Sequence, residues 1–218
     1  MKYTNILFDF DGTLADSGPG IRGAVAYALR AFGLPVDEST LNDWIGPPLL
    51  DSFMQNCGCS RERAFEMIAA YREYYEAEGL AMTDQYEGVQ EMLSALKAAG
   101  LSLMVATSKP EPYAVSLLKT MGLFDYFDYI SGATMDESRA SKQDVIRYAL
   151  QSCSIGGDVL SRTLMVGDRD NDVLGAKACG LACMGVLYGF GDEEELRGAG
   201  AEYIAATPWE VVAQVLER

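Results

Sequence analysis

Hydrophobic residues crowd the start of this chain and then give way to charge. Ile6, Leu7, Phe8 and Phe10 form an apolar run that is interrupted at Asp9 and closed by Asp11-Gly12. Such a run predicts a strand buried on both faces, as in the middle of a parallel sheet. From residue 16 the spacing becomes helical: Ile21, Ala24, Val25, Ala28, Leu29 and Phe32 share a face, and Gly33-Leu34-Pro35 ends it. Trp44-Ile45-Gly46-Pro47-Pro48-Leu49 reads as a loop with a restrained backbone. Residues 64–75 predict another helix, carrying Phe65, Ile68, Tyr71 and Tyr75, and no strand is convincing in this stretch.

From residue 87 helix and strand alternate. Helices are expected over 89–99, 111–121, from Ser141 to about 153, over 171–179 and from Pro208. Strands are expected over 101–106, 126–131, 163–166 and 182–187, with an edge strand over 201–204. Repeated strand–helix units predict an α/β fold, a doubly wound parallel sheet of Rossmann-like type. Residues 1–15 and 83–218 would form that core, and residues 16–82 an inserted all-helical domain.

Composition narrows the chemistry. A net charge of −15 sets the chain against nucleic acid and anionic membrane surfaces as partners. Histidine is absent, which removes His-based triads and His-ligated metals. A metal would need oxygen ligands, which favours a hard cation such as Mg²⁺. Cys57, Cys59, Cys153, Cys179 and Cys183 form no CxxC pair, so reduced thiols and a cytoplasmic location are expected. The first residues offer no secretory apolar segment, and no run is long enough to span a bilayer.

Three predicted strands end in polar residues: Asp9 with Asp11, Thr107 with Ser108, and Asp168 followed by Asp172. In open α/β sheets ligands bind at this carboxyl edge. Asp9 and Asp11, two apart, would project to the same side of an extended chain. Asp168 and Asp172, four apart at a helix start, can share a face. Carboxylates gathered there repel one another unless a cation joins them, and bound Mg²⁺ would also add a Lewis acid. A phosphate brought to that metal would want a hydroxyl and a lysine for its remaining oxygens. Lys142 stands at a helix start, where a cation is disfavoured, and that misplacement favours function over an exposed surface role. Lys109, directly after Ser108, is its rival.

With these residues the sequence resembles the haloacid dehalogenase-like hydrolase superfamily, in its branch of phosphatases with a helical cap. Asp9-Phe10-Asp11-Gly12-Thr13-Leu14 resembles the first motif, Thr107 the second, Lys142 the third and Gly167-Asp168-Arg169-Asp170-Asn171-Asp172 the fourth. The resemblance implies an Mg²⁺-dependent phosphomonoester hydrolase with an aspartyl-phosphate intermediate. Asp9 would be the nucleophile and Asp11 the acid and base. Mg²⁺ would meet the Asp9 carboxylate, the Asp11 carbonyl and Asp168, with Asp172 assisting. Thr107 and Lys142, with Ser108, Lys109 and N–H groups of the Gly12 loop, would hold the phosphoryl group.

Other activities of the superfamily fit less well. Dehalogenases of this fold lack the second aspartate, and phosphonate-cleaving members use a cap lysine, whereas residues 16–83 hold none. Phosphosugar mutases share the carboxylate pair but typically carry valine in place of Thr13. Thr13-Leu14-Ala15-Asp16-Ser17 looks more like phosphoglycolate phosphatases and 5′-nucleotidases. The expected substrate is a small phosphate ester of one of those types, handled by a monomer or homodimer. A binding protein that keeps the fold without catalysis would usually show a broken motif, and none is broken. Asp16 is expected to cap the first inserted helix and Asp170 to cap near the fourth motif. Arg22 is assigned either to substrate or to a solvated face, and Trp44 and Phe53 to core packing ahead of stacking on a base.

Overall fold

The computed structural model describes residues 2–217. In chain order the elements are β1 (Asn5–Phe8), β2 (Ala15–Asp16), α1 (Gly18–Ala31), α2 (Leu49–Cys57), α3 (Arg61–Tyr74), β3 (Asp84–Gln85), α4 (Val89–Ala98), β4 (Ser102–Pro110) and α5 (Glu111–Thr120). They continue with β5 (Tyr129–Ala133), α6 (Lys142–Ser152), β6 (Thr163–Gly167), α7 (Asp170–Ala178), β7 (Ala182–Val186), α8 (Glu193–Ala199), β8 (Tyr203–Ala205) and α9 (Pro208–Leu216).

Six strands form one sheet in the order β5-β4-β1-β6-β7-β8, and every neighbouring pair is parallel. The apolar opening run therefore lies in the middle, in register with Leu103–Val105 on one side and Leu164–Val166 on the other. Alternation along β1 divides the core. Ile6 and Phe8 pack with Met92, Leu96 and Val211 of α4 and α9, while Leu7 packs with Ile146 and Val173 of α6 and α7. This is the doubly wound parallel sheet expected from the pattern. Because the strand order departs from β1 in both directions, a crevice opens beyond its carboxyl end.

The segment between β2 and β3 is helical and has an apolar cluster of its own. Ala24, Val25 and Ala28 of α1 meet Phe53 of α2 and Met67 and Ile68 of α3. Trp44 sits edge-on to Phe53 with ring centroids 5.0 Å apart, inside this cluster. Tyr113 of α5 joins this cluster from the sheet side.

Several elements differ from the pattern reading. The short ribbon of β2 with β3 lies where no strand was expected; two residues per strand carry no periodicity to detect. Helix α2 begins at Leu49, where a loop ends on Pro48, and α1 and α3 start three residues earlier than the apolar spacing indicates. Strand β5 starts at Tyr129, because Phe124–Tyr126 form a tight 3₁₀ turn and Asp128 accepts from the N–H of Leu103. Ser141 caps α6 as expected, its hydroxyl accepting from the N–H of Asp144. Asp16 accepts from the N–H of Gly18 at the start of α1. No helix among the described residues is long and apolar enough to cross a membrane.

Candidate active site

The crevice collects acid from both ends of the chain. Asp9 follows β1 and its N–H donates to the carbonyl of Val166, which ties it to β6. Asp168 follows β6 itself, and Asp172 lies in the first turn of α7. One carboxylate oxygen from each of Asp9, Asp168 and Asp172 lies within 4.8 Å of the others, and all three residues are buried. Burial pushes the Asp9 carboxyl up to about 6; Lys142 opposes the shift, and the Asp172 and Asp11 charges add to it. Burial also drives Asp168 well above the usual carboxylate range, with Asp172 and Asp9 adding to it.

Two residues hold Asp168 in place. The hydroxyl of Thr13 donates to Oδ1 at 3.2 Å and the N–H of Phe190 donates to Oδ2 at 2.8 Å. Gly12 makes the approach possible: its φ is +79°, and a Cβ there would stand 2.0 Å from Asp168 Oδ2. The Gly12 N–H donates to the carbonyl of Ala15, and those of Thr13 and Leu14 to Phe10, so these three donors are committed within the loop. Gly12 contributes space.

Lys142 is buried in spite of its position at a helix start. Its ammonium lies 2.7 Å from Asp9 Oδ1 and 2.8 Å from Asp172 Oδ1. Burial works against that charge, but Asp172 and Asp9 more than offset it and hold the ammonium above its ordinary pKa. Asp9 Oδ1 and Asp172 Oδ1 thus share one buried ammonium. Oxygen-only ligands in a tight, buried carboxylate cluster fit a hard divalent cation such as Mg²⁺.

The Asp11 carboxylate serves different neighbours. Strand β1 ends at Phe8, so the two-residue alternation expected to align Asp11 with Asp9 does not extend to it. Its Oδ1 accepts from Ser17 Oγ at 2.5 Å and from Lys109 Nζ at 2.8 Å, and Asp11 lies outside the three-carboxylate cluster. Thr107 and Ser108 end the apolar part of β4 at the same sheet edge, since Phe8 is in register with Val105. Thr107 is buried, and Ser108 Oγ is buried without a partner.

A pocket continues from Asp11, Ser108 and Lys109 towards the helical segment, where Trp44, Tyr71, Tyr75 and Tyr113 line it. Several contacts cross its rim. Arg72 pairs with Glu137 at 2.6 Å and donates to the carbonyl of Met135 at 2.8 Å. Arg169 donates to the carbonyl of Ile45, and Asn171 to that of Gly46, clasping the proline loop to the start of α7. Tyr113 donates to Glu76. Arg22 donates to Asn42, not into the cavity. Asp170 lies in the first turn of α7, and its N–H donates to Glu195.

The sequence profile of haloacid dehalogenase-like hydrolases matches residues 6–186. The chain belongs to that family. It is 42% identical over 198 residues to a 5′-nucleotidase of Pseudomonas aeruginosa, covering 90% of this chain and 88% of that one. It is also 42% identical to the tyrosine-protein kinase PtkA of Mycobacterium tuberculosis over 85% of this chain, but over only 62% of that protein. A crystal structure described as a predicted phosphatase from Clostridium acetobutylicum superposes with a TM-score of 0.96 at 42% identity, covering all of both chains. This family member is thus a phosphatase.

Sequence reasoning missed several residues around the site. Ser17 stood in the run after the first motif and Tyr75 on a helix face, but neither their contacts nor the Arg72–Glu137 pair follow from spacing. Thr13 stood inside the first motif, but its bond to Asp168 follows only from the sheet order.

Proposed function

We propose that this phosphatase is an Mg²⁺-dependent hydrolase of small phosphomonoesters that works through an aspartyl phosphate. The observation that carries this reading is the buried cluster of the Asp9, Asp168 and Asp172 carboxylates, which the Lys142 ammonium serves at two of its oxygens. Those carboxylates, with the main-chain carbonyl of Asp11, would hold Mg²⁺, which when bound supplies positive charge for the phosphoryl oxygens.

Asp9 attacks phosphorus in line with the departing alcohol and keeps the phosphoryl group. Asp11 gives its proton to the leaving oxygen, then accepts one from the water that cleaves the acyl phosphate. Lys142 and the Thr107 hydroxyl stabilise the transferred group, and burial of all these residues keeps bulk water from the first step. Residues 16–82 act as a cap that closes over the leaving group.

The cavity also bears on the substrate. Both cations that line it are already engaged, Lys109 with Asp11 and Arg72 with Glu137. A leaving group carrying its own carboxylate, such as glycolate, would find no unpaired cation among the described lining residues. Tyr71, Tyr75, Tyr113 and Trp44 suit an uncharged, flat or sugar-like group, and this favours a nucleoside monophosphate. The test is phosphate release from a panel of nucleoside, sugar and carboxylate phosphomonoesters, with Mg²⁺ or EDTA, for wild type and Asp9→Asn. Mg²⁺-dependent turnover that vanishes in Asp9→Asn supports the mechanism. Turnover that survives the substitution overturns it, and preference for phosphoglycolate overturns the substrate assignment.

A further inference from the structure

The Asp11 carboxylate is held by a contact that crosses from the sheet to the cap. Lys109 is buried, and its ammonium donates to Asp11 Oδ1 at 2.8 Å and to the hydroxyl of Tyr75 at 2.7 Å. Tyr75 lies where α3 widens into a π turn, Tyr75–Gly79, which aims its ring back towards the sheet. That ring stacks on Tyr71, with centroids 5.4 Å apart and planes 16° from parallel, and the Lys109 ammonium sits 4.8 Å from its centroid. Both hydrogen bonds to Asp11 fall on Oδ1, the second coming from Ser17. Oδ2 is thus left without one among the described residues.

We propose that Tyr75 and Lys109 are positioning residues that couple cap closure to proton transfer by Asp11. This rests on the phosphatase reading above and adds to it a role for two groups outside the phosphoryl site. With the cap shut, the Tyr75 hydroxyl fixes the Lys109 ammonium. The ammonium fixes Oδ1 of Asp11, and Oδ2 is the oxygen that exchanges a proton with the leaving group. With the cap lifted, the ammonium loses an acceptor and the face of an aromatic ring at once, so Asp11 is free to rotate. Tyr75 thereby ties the acid to the closed state, in which substrate is shielded from water.

The leaving group tests this. An alkyl alcohol needs a proton as it departs, whereas nitrophenolate leaves without one, so only the first depends on a well-placed acid. Wild type, Tyr75→Phe, Lys109→Met and the double variant are compared at saturating Mg²⁺ on an alkyl phosphate and on p-nitrophenyl phosphate. General acid catalysis is worth about 10²–10⁴ in rate. The ratio of the single-turnover rate of alcohol release to that of nitrophenolate release, which reads the step before water attacks the acyl phosphate, is therefore expected to fall at least about tenfold in each single variant. KM should move less than about threefold, since ground-state binding is not what is lost. The double variant should be no worse than Lys109→Met, because the hydroxyl acts through the ammonium. Equal losses on both esters, a rise in KM alone, or additive losses in the double variant would overturn the proposal. If Lys109→Met does not fold, Tyr75→Phe, which deletes a single oxygen, decides alone. Wild type that hydrolyses neither ester defeats the phosphatase mechanism itself, and this coupling with it.

Discussion

Lys142→Met deletes the ammonium beside Asp9 and Asp172 while keeping an unbranched stem in the groove that Gly175 leaves open, where a Cβ would stand 2.8 Å from Lys142 Cγ. The side chains of both pairs are at most 3% exposed, so water cannot screen what is lost. Removing one partner of a buried ion pair costs about 3–5 kcal/mol, because the remaining charge is left uncompensated. For a chain of this size that corresponds to a Tm lower by roughly 6–20 °C. The cost has an outlet: Asp9, already pushed up to about 6 with Lys142 present, takes up a proton more readily without it. The folded variant then binds more protons than its unfolded chain, so its stability rises as pH falls towards about 5. The gap to wild type should therefore be wide at about pH 7.5 and narrow at about pH 5, measured by circular dichroism melts in EDTA. A Tm shift below about 2 °C at the higher pH, or a gap that ignores pH, would refute the reasoning.

Three further outcomes follow from the same geometry. In EDTA the wild type itself should lose stability as pH rises from about 4 to about 6, because folded Asp9 keeps a proton that the unfolded carboxyl, at 3.8, has released. The loss is about 1.4 kcal/mol per pH unit while both conditions hold, and Mg²⁺ should flatten the profile; a flat profile in EDTA contradicts the assignment. Gly12→Ala forces a Cβ to 2.0 Å from Asp168 Oδ2 at φ +79°. It should cost about 1–3 kcal/mol and weaken Mg²⁺ binding by calorimetry at least about tenfold; wild-type affinity would tell against Asp168 as a ligand. Arg72→Met removes the bond that holds Glu137 in its left-handed conformation, φ +61°. Amide exchange over residues 134–140 should quicken about tenfold or more, the equivalent of about 1.4 kcal/mol, and unchanged protection would show that the clasp contributes nothing.

Much of the fold was legible because its determinants are local. The run Ile6 to Phe10, the alternation of strand and helix after residue 87 and the Ser141 cap each depend on neighbours within a turn or a strand. The β2–β3 ribbon and helix α2 were not legible. The ribbon's strands are two residues long, and α2 follows prolines that read as a loop. Lys142 was legible through its misfit at a helix start. The pairing of Asp11 with Lys109 was not, because the two are 98 positions apart and their contact depends on how β4 ends beside β1.

The sequence by itself determined a central buried strand ending in acid, a parallel α/β core around it, a helical interruption, and a metal chemistry restricted to oxygen by the lack of histidine. These follow from side-chain periodicity and from which donor atoms the chain contains. Tertiary structure alone decided that the Asp11 carboxylate turns aside from the cluster of Asp9, Asp168 and Asp172, to Lys109 and Ser17. It also decided that the N–H groups of Gly12, Thr13 and Leu14 are spent within their own loop, and that Tyr75 reaches the sheet from the helical segment. Spacing states which residues can share a face of one element; it cannot state which elements lie side by side. In this chain that was settled by the packing that sets β1 between β4 and β6.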